Sequence, residues 1–226
     1  MEIIDIGSSR EVFWDDYVVD ISRTTAPKRM HSPQLRERAI CFDEEWEGGH
    51  CYFVNMFKDG DRFRMYYHAS KDAAPKGVRI CYAESTDGVH WLKPKLGLCE
   101  FRGSKQNNII LSAEMIPNTV SPITDNFYVF KDENPACPED ETYKAISNCG
   151  HERKNELKCF LSADGIHFRY GWDVFSQSGF FDSLNTVHYD KRTGKYHCYF
   201  RGWHSDLSDA DGNPMVSCKS ITRDIR

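Results

Sequence analysis

The chain has 226 residues, 40% hydrophobic and 13% aromatic, enough to bury a core and too much for wholesale disorder. Its 29 Lys+Arg against 34 Asp+Glu give a formal charge of −5, interspersed along the chain, which excludes the basic footprint of a nucleic-acid binder and a polybasic membrane tether. No run of about 18 apolar residues offers a transmembrane helix, and the acidic start Met1-Glu2-Ile3-Ile4-Asp5 shows no secretory leader, so a cytoplasmic location is expected.

In chain order, a strand is expected first over residues 10–20, around Phe13-Trp14-Asp15-Asp16-Tyr17-Val18-Val19. Aspartate is depleted from strands, so one of Asp15 and Asp16 must face a sheet interior or an axis, in a functional role or in a salt bridge. A first unit over 46–100 opens at Trp46-Glu47-Gly48. Its core, Phe53-Val54-Asn55-Met56-Phe57-Lys58-Asp59-Gly60-Asp61-Arg62-Phe63-Arg64-Met65-Tyr66-Tyr67, reads as strand, tight turn, strand. The alternating Val78-Arg79-Ile80-Cys81-Tyr82-Ala83 reads as a half-buried strand, leading into Ser85-Thr86-Asp87-Gly88-Val89-His90-Trp91. Asp-Gly is a strong hairpin signal because glycine tolerates positive φ, and the aromatic then begins the return strand.

A second unit over 122–175 repeats this order. It runs through Asn126-Phe127-Tyr128-Val129-Phe130-Lys131-Asp132, a longer loop, Thr142-Tyr143-Lys144-Ala145-Ile146, the alternating Leu157-Lys158-Cys159-Phe160-Leu161, and the turn Ser162-Ala163-Asp164-Gly165-Ile166-His167-Phe168. A third unit over 180–226 contains Thr186-Val187-His188-Tyr189-Asp190 and Lys195-Tyr196-His197-Cys198-Tyr199-Phe200. It then reaches Met215-Val216-Ser217-Cys218-Lys219-Ser220-Ile221-Thr222-Arg223-Asp224, with Asp224 at the place of Asp87 and Asp164.

Self-similarity over tens of residues with about four short strands per unit is the signature of propeller blades. The expected fold is all-β: one partial β-propeller domain over 1–226, of about three blades of four antiparallel strands. Three blades cannot close a ring, so a fragment, a truncated frame or an assembly completed by self-association is expected. The nine cysteines are odd in number and contain no C-x-x-C pair, which favours reduced, buried thiols over a disulfide framework or zinc.

The segments Phe13-Trp14-Asp15-Asp16-Tyr17-Val18-Val19, Trp46-Glu47-Gly48, Arg64-Met65-Tyr66-Tyr67, the two Ser-x-Asp-Gly-x-His-aromatic turns and Phe181-Asp182-Ser183-Leu184-Asn185 resemble the five-bladed propeller superfamily of glycoside hydrolases that includes invertase, levansucrase and arabinanase-like members. The resemblance is to its uncharacterised, glycosyl-hydrolase-like branch and implies a glycosidase or a related phosphorolytic enzyme acting on a glycosidic bond. The Asn-Asp-Pro-Asn-Gly, Arg-Asp-Pro and Glu-Cys segments of invertase-like enzymes are absent. A non-catalytic carbohydrate-binding propeller and an inactive remnant are the alternatives.

Glycoside hydrolysis needs two carboxyl groups across the scissile bond. The related enzymes carry theirs at the starts of innermost strands, which singles out Glu47, Asp125 and Asp182, one acid ahead of each inner strand. Glu47 is expected as proton donor, Asp182 as base and Asp125 as the carboxylate that tunes their pKa values; ordinary turn or strand-start carboxylates are the alternative. Aromatic faces and fork-shaped donors suit an oligosaccharide or glycoside, which adds Trp46, Tyr67, Arg201, Trp203, His204, Asp16 and His31 as contacts. His90 and His167, at matching places in the turns, are expected to be structural. No cofactor is expected; Asp206-Leu207-Ser208-Asp209-Ala210-Asp211-Gly212-Asn213 offers hard oxygen ligands suited to Ca²⁺, with a solvated acidic loop as the favoured reading.

Overall fold

The computed structural model describes residues 4–8, 11–70, 77–112, 115, 125–149, 156–174, 181, 183–208, 211–212 and 214–223, with the backbone alone at 125, 201–208 and 214–223. It divides into two compact units, Met1–Glu37 and Arg38–Arg226.

The strand expected over 10–20 does not form in the first unit. Its described part, 11–20, is bend and turn, followed by a single 3-10 turn at Ile21–Arg23 capped by Asp20. The aspartates themselves explain the outcome. The Tyr17 amide donates to Asp15 Oδ1 at 2.9 Å and Lys28 pairs with Asp16. Short carboxylate side chains that take local donors turn a chain rather than extend it. Trp14 stands 89% exposed as a result.

The second unit is three antiparallel sheets in series. The first blade is β1 (His50–Asp59), β2 (Arg62–Ser70), β3 (Arg79–Ser85) and β4 (Ile109–Ser112), paired in that order. The second is β5 (Asp125–Lys131), β6 (Tyr143–Asn148), β7 (Leu157–Ser162) and β8 (Arg169–Asp173). The third pairs β9 (Thr186–Asp190), β10 (Lys195–Ser208) and β11 (Pro214–Arg223). Each blade therefore meanders outward from its first strand.

The middle blade is packed on both faces. Tyr66, Ile80 and Tyr82 of the first blade meet Phe127, Val129 and Phe160 of the second. On its other side Ile146, Leu157 and Cys159 meet Val187, Tyr196 and Cys198 of the third. All six residues of β7 are buried, so its alternation does not mark a half-buried strand. Lys158 fits there because its stem lies in the sheet while its ammonium reaches Asp173 at 2.6 Å and Glu156 at 2.9 Å. The thiols behave as small hydrophobes: Cys81, Cys99, Cys149, Cys159 and Cys198 are buried and unbridged.

The Ser-x-Asp-Gly repeats join third to fourth strands, away from the inner strands. They are self-contained hydrogen-bonded loops rather than two-residue hairpins. Ser85 Oγ accepts from the Asp87 and Gly88 amides at 3.2 and 2.9 Å, and Asp87 Oδ1 accepts from the Val89 and His90 amides at 2.8 Å each. The His90 ring closes on Asp87 Oδ2 at 2.7 Å. Ser162, Asp164, Gly165 and His167 repeat every contact, and both glycines take positive φ, 77° and 76°. The two histidines are thus built into the turns, and the amides and ring aimed at each aspartate hold its carboxyl well below the usual range.

In the first blade the fourth strand lies at 109–112, beyond the expected end at 100. Leu92 makes a single bridge to Glu84, and the chain then detours before Asn107 and Asn108 bring it back. Asn108 offers its carbonyl to the Tyr82 amide at 3.0 Å, and Asn107 donates through Nδ2 to Cys99 O at 2.8 Å.

A second repeat stitches the blades. Asp59 closes β1 and accepts from Arg64 Nε (2.6 Å), and across the interface from Lys131 Nζ (2.6 Å) and the Tyr143 hydroxyl (2.5 Å). Asp132 closes β5 and accepts from Lys144 Nζ (2.6 Å) and from the Tyr196 hydroxyl of the third blade (2.6 Å). Asp190 closes β9 at the same place, with His197 Nε2 at 3.6 Å. Burial would raise the Asp59 pKa, but its three donors outweigh that and hold it at about 2.

Candidate functional site

The inner strands β1 and β5 are neighbours joined by side chains. The Val129 amide donates to Asn55 Oδ1 at 2.9 Å, and the Phe127 amide donates to His68 Nε2 at 2.7 Å. His68 packs against the Tyr52 and Phe53 rings, and its burial depresses its pKa to about 3, so it is a neutral acceptor. Both strands carry the same bulge near their starts, between Tyr52 and Asn55 and between Asp125 and Tyr128. The first bulged residue is left-handed in each, Phe53 at φ 49° and Asn126 at φ 59°. Asparagine adopts that conformation readily, whereas phenylalanine does so under strain.

Asn126 also has a second task. Its Nδ2 donates to Phe181 O at 2.9 Å, and Asn185 Nδ2 donates to the same oxygen at 3.1 Å and to Ser183 O at 3.0 Å. The chain just ahead of β9 is thereby tied to the start of β5. Asp125 begins β5 opposite Asn148, and its side chain lies outside the described residues, as does Asp182.

Glu47 is in a different setting. It is fully buried, and its carboxylate accepts from the Tyr67 hydroxyl at 2.5 Å, Lys93 Nζ at 2.8 Å and the Glu44 amide at 2.9 Å. Tyr67 receives Asn108 Nδ2 at 2.7 Å, and Asn108 Oδ1 accepts from Trp46 Nε1 at 2.6 Å. This network lies beside the apolar cluster of Met65, Cys81, Cys99 and Ile109, on the first blade's face away from the second. Glu47 is thus ion-paired to Lys93, with Tyr67 enclosed beside it. Counted back from the closing aspartates, Asp125 lies seven residues before Asp132 and Asp182 eight before Asp190, but Glu47 lies twelve before Asp59. The three acids are therefore not equivalent.

Asp16 and His31 belong to the first unit and are exposed there. The backbone at Arg201, Trp203 and His204 forms β10, with the side chains outside the described residues. Of the acidic loop proposed for Ca²⁺, residues 209, 210 and 213 lie outside them too. Among the described residues no group of three or more His, Cys, Asp or Glu is placed to hold a metal ion. The sequence reading missed Asn126, Asn185 and His68; the asparagine that recurs near two inner-strand starts was the available signal.

No family model matches the chain, and no curated protein matches it. Solved structures do. The sucrose-6-phosphate hydrolase of Lactobacillus gasseri superposes with a TM-score of 0.50 at 11% identity over 78% of this chain and 37% of its own. A glycosyl hydrolase from Bacteroides ovatus gives 0.49 at 14% identity over 75% and 52%. A Bombyx mori beta-fructofuranosidase in complex with sucrose gives 0.48 at 11% identity over 75% and 33%. The chain thus spans from a third to about half the length of these structures. At such identities the likeness is one of fold alone, that of a β-propeller.

Proposed function

We propose that the chain acts on a glycosidic bond, binding an oligosaccharide or glycoside at the starts of its inner strands, with Asp125 and Asp182 as the carboxyl pair. What supports the reading is the tie between the segments that carry them: Asn126, next to Asp125, is hydrogen-bonded to the carbonyl of Phe181, next to Asp182. Glu47 was the expected proton donor, but its buried ion pair with Lys93 suits support of the first blade better. Asp182 then keeps the role of base and Asp125 takes that of acid, with their separation deciding between inversion and retention. A blade that carries an acid at its inner start can vary its chemistry without disturbing the turns, which lie at outer strands.

The test is hydrolysis of a panel of aryl glycosides and oligosaccharides. Asp125→Asn and Asp182→Asn should each reduce kcat/KM by 100-fold or more, on the order of general acid–base contributions. Glu47→Gln should act on stability first. Turnover that survives both aspartate variants contradicts the reading. Saturable sugar binding without turnover on the panel favours a carbohydrate-binding propeller.

A further inference from the structure

The two blade interfaces follow one pattern, set by the strand registers. Phe57, Phe130 and His188 each stand two residues before the aspartate that closes their strand, opposite Arg64, Lys144 and His197. Two residues further along the second strand come Tyr66, Ile146 and Tyr199, opposite Asn55, Tyr128 and Thr186. In the first two blades this face is covered. Tyr66 and Ile146 are fully buried against the following blade, with Phe57 and Phe130 packed beside them. In the third blade Val187, Tyr196 and Cys198 face the second, so His188, His197 and Tyr199 point the other way. His188 is exposed there, and Tyr199 is 42% exposed.

The open face is ordered. The His188 ring stacks on His197 at 5.3 Å and 20°, and on Tyr199 at 5.7 Å and 11°. Its aspartate differs from the other two. Asp59 and Asp132 each take a close cation from their own blade and a tyrosine hydroxyl from the next, that of Tyr143 or Tyr196. Asp190 takes the Arg192 amide at 2.9 Å and the Thr193 hydroxyl at 2.8 Å, while His197 Nε2 stops at 3.6 Å, too far for a hydrogen bond. Among the described residues no tyrosine hydroxyl is bonded to it. A carboxylate offers about four lone-pair sites, so Asp190 has room for the hydroxyl that its counterparts receive.

The same face also carries the donor. Asp190 pairs with Lys195, His188 with His197 and Thr186 with Tyr199, so the histidine pair lies midway between the carboxylate and the exposed phenol. A surface with acceptor and donor on opposite sides of a centre is complementary to itself. We propose that this face binds a second copy of the chain as an isologous dimer, in which Asp190 of each copy accepts from the Tyr199 hydroxyl of the other. The two-fold axis lies between the faces and crosses the strands at His188 and His197. A head-to-tail contact with the first blade of another copy lacks the donor. Phe63 holds there the register place of Tyr143 and Tyr196, and Ile40, Phe42 and Trp46 already pack on that blade's far face.

The experiment is sedimentation velocity between about 1 and 200 μM, which spans the affinities of small interfaces. The chain should show a reversible monomer–dimer equilibrium. Tyr199→Phe keeps the ring, removes the hydroxyl from two symmetric contacts and should weaken the dimer about 10-fold or more. Tyr199→Glu sets two carboxylates together and Asp190→Lys removes the acceptor, so each should be monomeric alone. Mixed, they should dimerise again, because one contact becomes Lys–Glu and the other keeps tyrosine and aspartate. Trp14→Ser, at an exposed aromatic outside the face, should change nothing. Circular dichroism checks that each variant folds; should Asp190→Lys fail, the two variants at exposed Tyr199 decide. A chain monomeric throughout the range overturns the second copy as occupant and leaves the face to a different sheet. A dimer indifferent to both Tyr199 variants, or lost in Trp14→Ser, overturns the choice of face. A mixture of two folded variants that stays monomeric overturns the reciprocal pairing.

Discussion

Removing the Asp132 carboxylate tests how the second and third blades are joined. The Asp132 side chain is fully buried and that of Lys144 is 2% exposed, so Asp132→Asn takes away the nearer charge partner of a buried ammonium and leaves it only Glu141 Oε2 at 3.7 Å. Breaking a buried ion pair from one side costs about 3–5 kcal/mol. The carboxylate also takes the Tyr196 hydroxyl at 2.6 Å and the Asn134 amide at 2.9 Å. Tyr196→Phe removes the hydroxyl's bond and the one it accepts from Asn134 Nδ2 at 3.0 Å, and should cost about 1.5–3 kcal/mol. Lys144→Met in the same background removes the stranded charge, so the double variant Asp132→Asn with Lys144→Met should be well below additive, by about 2 kcal/mol or more. The assay is urea unfolding followed by both tryptophan fluorescence and far-ultraviolet circular dichroism. Coincident transitions license a two-state ΔG. An Asp132→Asn protein within about 1 kcal/mol of the original, or an additive double variant, would refute the latch.

The two turn glycines should differ. A Cβ at Gly165 would meet the Tyr66 hydroxyl at 2.8 Å, Arg64 Nη1 at 3.0 Å and Tyr143 at 3.2 Å, whereas at Gly88 it would meet only the Phe63 ring at 3.5 Å. Gly88→Ala should therefore lower stability by about 1–2 kcal/mol from the positive φ alone, and Gly165→Ala by more; equal losses in thermal denaturation would contradict this. Stability should also fall in acid. Burial depresses the folded pKa of His68 to about 3 from the usual 6.5, so between those values the unfolded chain binds a proton that the folded chain does not. Stability should rise by about 3–5 kcal/mol from pH 3 to pH 6.5 on this account and flatten above, and His68→Asn should remove most of the slope measured by urea unfolding.

The blades were legible because their signals are local. Strand, turn, strand recurs at Phe53 to Tyr67 and Asn126 to Ile146, and Ser-x-Asp-Gly-x-His fixes its own loop through contacts within six residues. The stitching aspartates were also in plain view, as Phe57-Lys58-Asp59, Phe130-Lys131-Asp132 and Tyr189-Asp190, but a strand-ending Asp reads as a turn residue until its hydroxyl donor, a blade away, is known. The setting of Glu47 was hidden for the same reason. Its ion-pair partner Lys93 is 46 residues distant, in the detour between β3 and β4 that also displaced the fourth strand. Alternation misled at β7 because a blade between two others has no solvent face. Asp15 and Asp16 misled because local capping outcompeted extension.

The most direct test of a site at the inner-strand starts is to titrate the ¹⁵N-labelled protein with oligosaccharides and map amide shifts. The account predicts saturable shifts concentrated at residues 125–127 and 181–186, with the Ser85–Trp91 and Ser162–Phe168 turns unmoved. Shifts centred on the Glu47, Tyr67 and Lys93 network, or on the turns, would contradict it.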